Sequence, residues 1–405
     1  MYDLVLRDAT IVTSTGRQVA DVAIQDGKIV YVGPRPPKRR CRESISAIGK
    51  FLIPGVIDTA VMFAPDGKSA TWEVESRAAV SGGITTVISL PGGSSPVTDR
   101  ASAKKRAKRV CSKSWVNFAL WGGATSKNAE ELNEAVKEGL IIGALAYMGG
   151  HEGIGIDVDQ LETFLDVDGV TGVHLNGTVA EGSADEVFEA ALQVASKTDK
   201  QFHLVHLSTA EELHALDPVR GDLPVTAGVT PHHLFLSNDA HPIEVQTNPP
   251  VRPEHDRKSL WTAMKRGRLD VVASDHHPID NDGVPGAELM FPLLLSAVKY
   301  GRLSLELLVS LCSEAPARIF GLNGKGRIEP GADADLVLFS EGELTRVGKK
   351  DLMSKAGWSP YIDREAAPKP DLVIVGGEII ARRGEMIATK PCGTLVATTP
   401  VAANA

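Results

Sequence analysis

From Ile53 onward the chain repeats one pattern eight times: an apolar run of strand length, then a stretch able to form a helix. The runs begin near Ile53 (IPGVID), Ile84 (ITTVISL), Trp115 (WVNFALWG), Leu140 (LIIGALAY), Val170 (VTGVHL), Phe202 (FHLVHL), Val225 (VTAGVT) and Asp270 (DVVASD). Strands that are apolar throughout are buried on both faces, and strands alternating with helices pair in parallel. Eight in this cadence predict an α/β fold, a closed (β/α)8 barrel of the TIM type. Stretches 128–138, 185–196 and 303–313, with apolar residues at three- and four-residue spacing, supply part of its outer ring.

Such a barrel needs about 250 residues, and the chain has 405. The surplus lies at both ends and reads as strand. Runs 4–11 and 21–32 turn at Asp26-Gly27, a hairpin signal, and after Pro330 come 335–339, 371–375 and, behind Gly376-Gly377, 378–381. We therefore expect a small β-sandwich domain made of 1–52 and 326–390, a barrel spanning 53–325, and a flexible tail at 391–405, where Thr, Ala and Pro leave little to bury.

A net charge of −8 argues against a nucleic-acid partner, because displacing counterions from phosphate needs a dominant cationic surface. Cys41, Cys111, Cys312 and Cys392 form no C-x-x-C pair, as expected of free thiols in a reducing compartment. The opening Met1-Tyr2-Asp3-Leu4 lacks a signal-peptide pattern, and the apolar stretches at 140–148 and 289–298 are too short to span a bilayer, so a cytoplasmic protein without a membrane partner is expected. Basic runs at 35–42 (RPPKRRCR) and 104–109 (KKRAKR) read as solvated surface, with an acidic partner patch as the rival reading.

Barrels of this type place reacting groups at the C-terminal ends of their strands. There the runs VTGVHL, FHLVHL and DVVASD carry His174, His206 and Asp275. The bland reading of each histidine is a hydrogen-bonded core residue. His232-His233 reads as packing, His151 as part of an exposed glycine-rich loop, and of His276-His277 only one can face the centre, because neighbours on a strand point to opposite faces. No Ser-His-Asp set, activated cysteine or phosphate loop is present in the sequence.

Several motifs in order resemble the dihydroorotase and hydantoinase branch of the amidohydrolase superfamily. They include Ile53-Pro54-Gly55-Val56-Ile57-Asp58, Gly82-Gly83-Ile84-Thr85-Thr86, Val205-His206-Leu207-Ser208, Thr230-Pro231-His232-His233, Asn248-Pro249-Pro250, Ser274-Asp275-His276 and Ala315-Pro316-Ala317-Arg318. The likeness runs from the N-terminal hairpin to about Gly384 and is nearest to the dihydroorotases, which hydrolyse a cyclic amide.

The resemblance implies two zinc ions bridged by hydroxide, since an unactivated amide carbonyl resists neutral water. It also implies their ligands: His-x-His on strand one, a bridging carboxylate on strand four, one histidine each on strands five and six, and an aspartate on strand eight. Here Ala60 and Met62 stand at the first pair and Ala64 at a substrate-binding arginine. Gly92 replaces a substrate-binding asparagine, Gly149 and Gly150 stand in place of acidic residues, and Ile279 replaces a histidine. His174 and His206 survive at metal positions, Asn248 at a substrate-binding position and Asp275 at the catalytic one. Neither alanine nor a thioether replaces an imidazole on zinc.

The expectation is a non-catalytic dihydroorotase homologue without a cofactor. It would serve as a structural or regulatory subunit in pyrimidine synthesis, partnered by aspartate carbamoyltransferase and itself a homo-oligomer. The alternatives are an active cyclic-amide hydrolase with one zinc, and a small-molecule sensor using the emptied barrel mouth.

Overall fold

The computed structural model describes residues 1–63, 71–148, 150, 153–175, 184–239, 245–278 and 283–399. All eight expected barrel strands are present. They are Val56–Val61, Ile84–Ser89, Asn117–Leu120 (resuming at Gly122–Gly123), Gly143–Met148, Val170–Leu175, Phe202–Leu204, Val225–Val229 and Val271–Val272. Each pairs in parallel with the next. Strand eight returns to strand one through a bridge between His276 and Val61, and the Met62 N–H donates to the His276 carbonyl at 2.8 Å, which closes the ring. Strands four and five approach so closely that a Cβ at Gly143 would collide with the Val170 backbone.

The barrel has two apolar compartments. Outside the strands, Trp72, Phe118, Phe188, Phe202 and Phe291 pack between sheet and helices. Inside, Ile57, Ala60, Met62, Leu90, Leu145, Tyr147, Val205 and Ala273 belong to a second cluster. Full burial of a large aliphatic side chain is worth roughly 1.5–3 kcal/mol, so this inner cluster is a substantial stabilising element. Helix starts are set by side-chain caps. Thr71 accepts from the Val74 N–H ahead of Trp72–Ser81, and Asp99 and Thr209 form capping boxes ahead of Arg100–Cys111 and Ala210–Leu216.

Both chain ends share one nine-stranded sheet beside the barrel. Strand Phe51–Pro54 runs parallel to Tyr2–Thr13 and antiparallel to Leu336–Phe339, so the last N-terminal strand is also the seam to the C-terminal ones. The hairpin turn falls at Asp26-Gly27, both with positive φ (51° and 74°), as a two-residue turn requires.

Two segments depart from the sequence-based division. Residues 341–370 do not stay in the small domain. Val347, Tyr361 and Ala366 leave it to pack on Leu236, Val251, Val284, Leu289 and Leu293 of the barrel. Two buried carboxylates fasten this excursion: Glu288 accepts from the Met353 and Ser354 N–H groups, and Glu75 from the Ser354 hydroxyl and the Lys355 N–H. The tail also departs from expectation over 391–399. The Thr394 carbonyl and Val396 N–H bond to Phe118 at 2.9 and 2.8 Å, beside the opening half of strand three, and Val396 is buried. Backbone pairing, which composition does not report, orders this stretch; 400–405 lie outside the described residues. Among the described residues no helix is long and apolar enough to cross a membrane.

Candidate active site

At the C-terminal end of the barrel a cavity of about 70 Å³ is lined by Met62, Leu90, Tyr147, His174, Gln246, Asn248, Asp275, His277 and Gly283. Three sequence-predicted residues, His174, Asn248 and Asp275, thus meet at one place, with His206 directly behind. His206 Nε2 lies 3.4 Å from Asp275 Oδ1. The His174 and His206 rings meet edge to face at 5.4 Å between centroids, and Tyr147 stacks on His174 at 4.9 Å.

Asp275 holds φ at 49°, a left-handed conformation uncommon for a residue with a Cβ. The turn aims successive side chains differently. His277 lines the cavity, whereas His276 points into the core, where its Nε2 is 3.0 Å from Glu75 Oε2 and its Nδ1 accepts from the Ala287 N–H. That acceptance assigns the His276 proton to Nε2, facing Glu75. Burial opposes ionisation of Asp275, but the imidazoles of His206, His232 and His174 outweigh it and hold the carboxyl well below the usual carboxylate range.

Sequence reasoning assigned His232 and His233 to packing, and the structure separates them. His233 Nδ1 shares a hydrogen bond of 2.7 Å with the Thr230 hydroxyl, and its Nε2 lies 3.2 Å from the Pro250 carbonyl. His232 makes no hydrogen bond among the described residues and sits in the field of Asp275 and His206. Burial pushes its pKa down to about 4, with Asp275 partly opposing, so it is neutral at pH 7. Tyr147, Leu90, Gln246 and Gly283 also line the cavity and were not singled out in the sequence. Tyr147 lies on an apolar strand and Leu90 just past the end of one, an inward placement visible only once the register is known.

Ala60 is fully buried and Met62 nearly so, both in the inner apolar cluster. Gly92 is buried too, and its carbonyl accepts from Arg106. Arg106 belongs to the basic run at 104–109 and corrects the solvated reading of that run at one position. It is buried, also donates to the Ser95 carbonyl, and is pushed down to about 10 by burial. The positions Ala64, Gly149, His151 and Ile279 lie outside the described residues.

The donor set can be compared with the two bridged zinc ions that the resemblance implies. Where strand one should bring two imidazoles it brings a methyl and a thioether. Among the described residues, no three His, Cys, Asp or Glu side chains are disposed to share one ion. Catalytic zinc takes three protein ligands and a water, so these residues do not fit a dinuclear centre.

Comparison with known proteins agrees with the architecture. The model of the amidohydrolase family matches residues 51–380. A dihydroorotase of Methanosarcina mazei is 32% identical, with 96% of each chain covered. An L-hydantoinase of Paenarthrobacter aurescens is 27% identical, with 98% of each covered. The solved L-hydantoinase (dihydropyrimidinase) from Arthrobacter aurescens superposes with a TM-score of 0.91 at 25% identity, covering 98% of this chain and all of that one. The chain is therefore a dihydroorotase-like member of the amidohydrolase family.

Proposed function

We propose that this chain is a non-catalytic dihydroorotase homologue, a structural or regulatory subunit linked to pyrimidine synthesis. The observation that carries the reading is the apolar filling of the strand ends where metal chemistry belongs. Ala60, Met62, Leu90 and Tyr147 crowd the centre, and Tyr147 lies flat against His174. The space left is about 70 Å³, against roughly 300–1,000 Å³ for ordinary small-molecule sites. Asp275, the one carboxylate lining the cavity among the described residues, is engaged by His206.

The partner we propose is aspartate carbamoyltransferase, on the strength of the resemblance to dihydroorotases, and the contact uses the outer surface of the chain. Light scattering of the chain mixed with its host's carbamoyltransferase tests this, repeated with His174, His206 and Asp275 all changed to Ala. A complex that survives the triple change is expected. Absence of a complex at micromolar concentration overturns the partner, and its loss in a folded triple variant overturns the indifference to the old site.

A second reading, a hydrolase with a single zinc, draws on the proximity of His206 to both His174 and Asp275. It requires stoichiometric zinc and turnover that vanish together on His206→Ala.

A further inference from the structure

Strand Cys41–Ser46 lies at an edge of the sheet that both chain ends share. It runs parallel to Tyr2–Thr13, from Tyr2 opposite Cys41 to Arg7 opposite Ser46, and among the described residues no strand pairs with its other side. The Tyr2 N–H donates to the Arg40 carbonyl at 2.9 Å, and successive residues of a strand turn their backbone groups to alternate sides, so those of Cys41, Glu43 and Ile45 face outward. The Glu43 carbonyl accepts from the Cys41 thiol at 2.7 Å, a weak donor. The strand is about 20 Å long and is exposed at Arg42, Glu43, Ser44 and Ser46.

The basic run at 35–42 leads straight into this edge. Arg35, Lys38, Arg39, Arg40 and Arg42 are all exposed, and none has an ion-pair partner among the described residues. Their backbone is nonetheless held in place. Pro34, Pro36 and Pro37 restrict φ along the loop, and Pro36 is buried. Tyr2, itself buried, grips the loop at three points: its hydroxyl donates to the Pro37 carbonyl at 3.3 Å, its N–H to the Arg40 carbonyl, and its ring carries the Arg39 guanidinium at 5.5 Å. A loop fixed in this way gives up little entropy on binding.

A free strand edge is recognised by another strand, through main-chain hydrogen bonds, with side chains selecting the sequence. Charges on such an edge ordinarily guard it against pairing. Here the guard is one-sided: the cations repel the same edge of a second copy and attract a strand that carries carboxylates. A nucleic acid or an anionic bilayer matches the cations but offers no alternating donors and acceptors at peptide spacing, and a continuous run of phosphates would also meet the exposed Glu43 carboxylate.

We propose that strand Cys41–Ser46 receives an extended acidic segment of another protein, which adds to the sheet as a further strand while its carboxylates meet Lys38, Arg40 and Arg42. Neither the state of the barrel mouth nor the carbamoyltransferase reading enters, and failure here leaves the zinc, turnover and light-scattering outcomes as they are.

The test is fluorescence anisotropy of a fluorescein-labelled peptide of alternating Glu and Thr, long enough to span the strand, titrated with the full-length protein. Saturable binding is expected, and Lys38→Glu with Arg40→Glu should weaken it about tenfold or more. A peptide with the same Glu residues but Pro in place of each Thr keeps the charge and cannot add as a strand, so it should bind about tenfold more weakly or worse. Glu43→Pro removes one outward N–H, a change that an edge strand tolerates. It should weaken the Glu-Thr peptide with an unchanged circular dichroism spectrum, even though it also removes a repelling carboxylate. If that variant misfolds, the proline peptide alone decides. Absence of saturable binding, equal binding of the two peptides, or indifference to the charge reversal overturns the proposal. So does tighter binding of a single-stranded DNA oligonucleotide or of phosphatidylserine vesicles, which would assign the loop to phosphate.

Discussion

Replacing His203 by Asn should flatten the acid limb of the protein's stability profile. His203 is buried on strand six beside Phe320, and its Nδ1 shares a 2.9 Å hydrogen bond with the Thr226 hydroxyl. Burial, with a smaller contribution from His206, pushes its pKa down to about 3. Unfolding returns it to about 6.5. As the pH falls below 6.5 the unfolded chain takes up the proton while the folded chain does not. Its contribution to stability is therefore intact above the unfolded value and is lost toward the folded one. Each pH unit in that window costs about 1.4 kcal/mol. From pH 6.5 to 4.5 the loss amounts to about 3 kcal/mol, a large share of the roughly 5–15 kcal/mol that stabilises a typical protein. Asn preserves a polar partner for Thr226 but binds no proton. Urea midpoints measured by tryptophan fluorescence at pH 7 and 4.5 should fall less for His203→Asn than for the wild type, by the equivalent of about 3 kcal/mol. Equal falls in the two proteins would show that His203 is not held neutral by burial and would refute the reasoning.

Two further outcomes follow from long-range contacts. Glu75→Ala strands the buried His276 and frees the Ser354 hydroxyl and Lys355 N–H. Breaking a buried pair costs about 3–5 kcal/mol, so for a chain of 405 residues calorimetry should show a fall in Tm of roughly 5 °C, and an unchanged Tm would refute that role. Deleting 391–405 removes five backbone hydrogen bonds, two of them to Phe118 and the others to Ser114, Gly321 and Asn323, and the burial of Val396. At about 1 kcal/mol per bond and about 1.5 for the side chain, less the entropy regained by the freed segment, it should cost several kcal/mol in the urea midpoint, where a free tail would cost nothing.

The barrel was legible because its signal is local and repeated. Apolar runs such as VTGVHL and VTAGVT announce strands buried on both faces, and eight of them leave little choice of closure. Asp26-Gly27 announced its turn through the backbone geometry that two-residue loops demand. The positions at the strand ends were legible only through family motifs, which brought His174, Asn248 and Asp275 to one cavity. What escaped has no local signature. Glu75 and Glu288 read as ordinary helix carboxylates, yet both are buried to hold Met353, Ser354 and Lys355, far along the chain. Residues 394–396 have too few apolar side chains to announce themselves, and their pairing with Phe118 depends on an edge that the fold creates. Arg106 sits in a run of cations, but helical periodicity turns it inward to the Gly92 and Ser95 carbonyls.

The central claim, that metal chemistry has been lost from this barrel, is tested most directly by elemental analysis of protein freshly purified from zinc-supplemented medium, paired with a dihydroorotate hydrolysis assay on the same sample. Ala60 and Met62 at the strand-one positions predict well under one zinc per chain and no turnover above the blank. Stoichiometric zinc with measurable hydrolysis, both abolished by His174→Ala or His206→Ala, would contradict it.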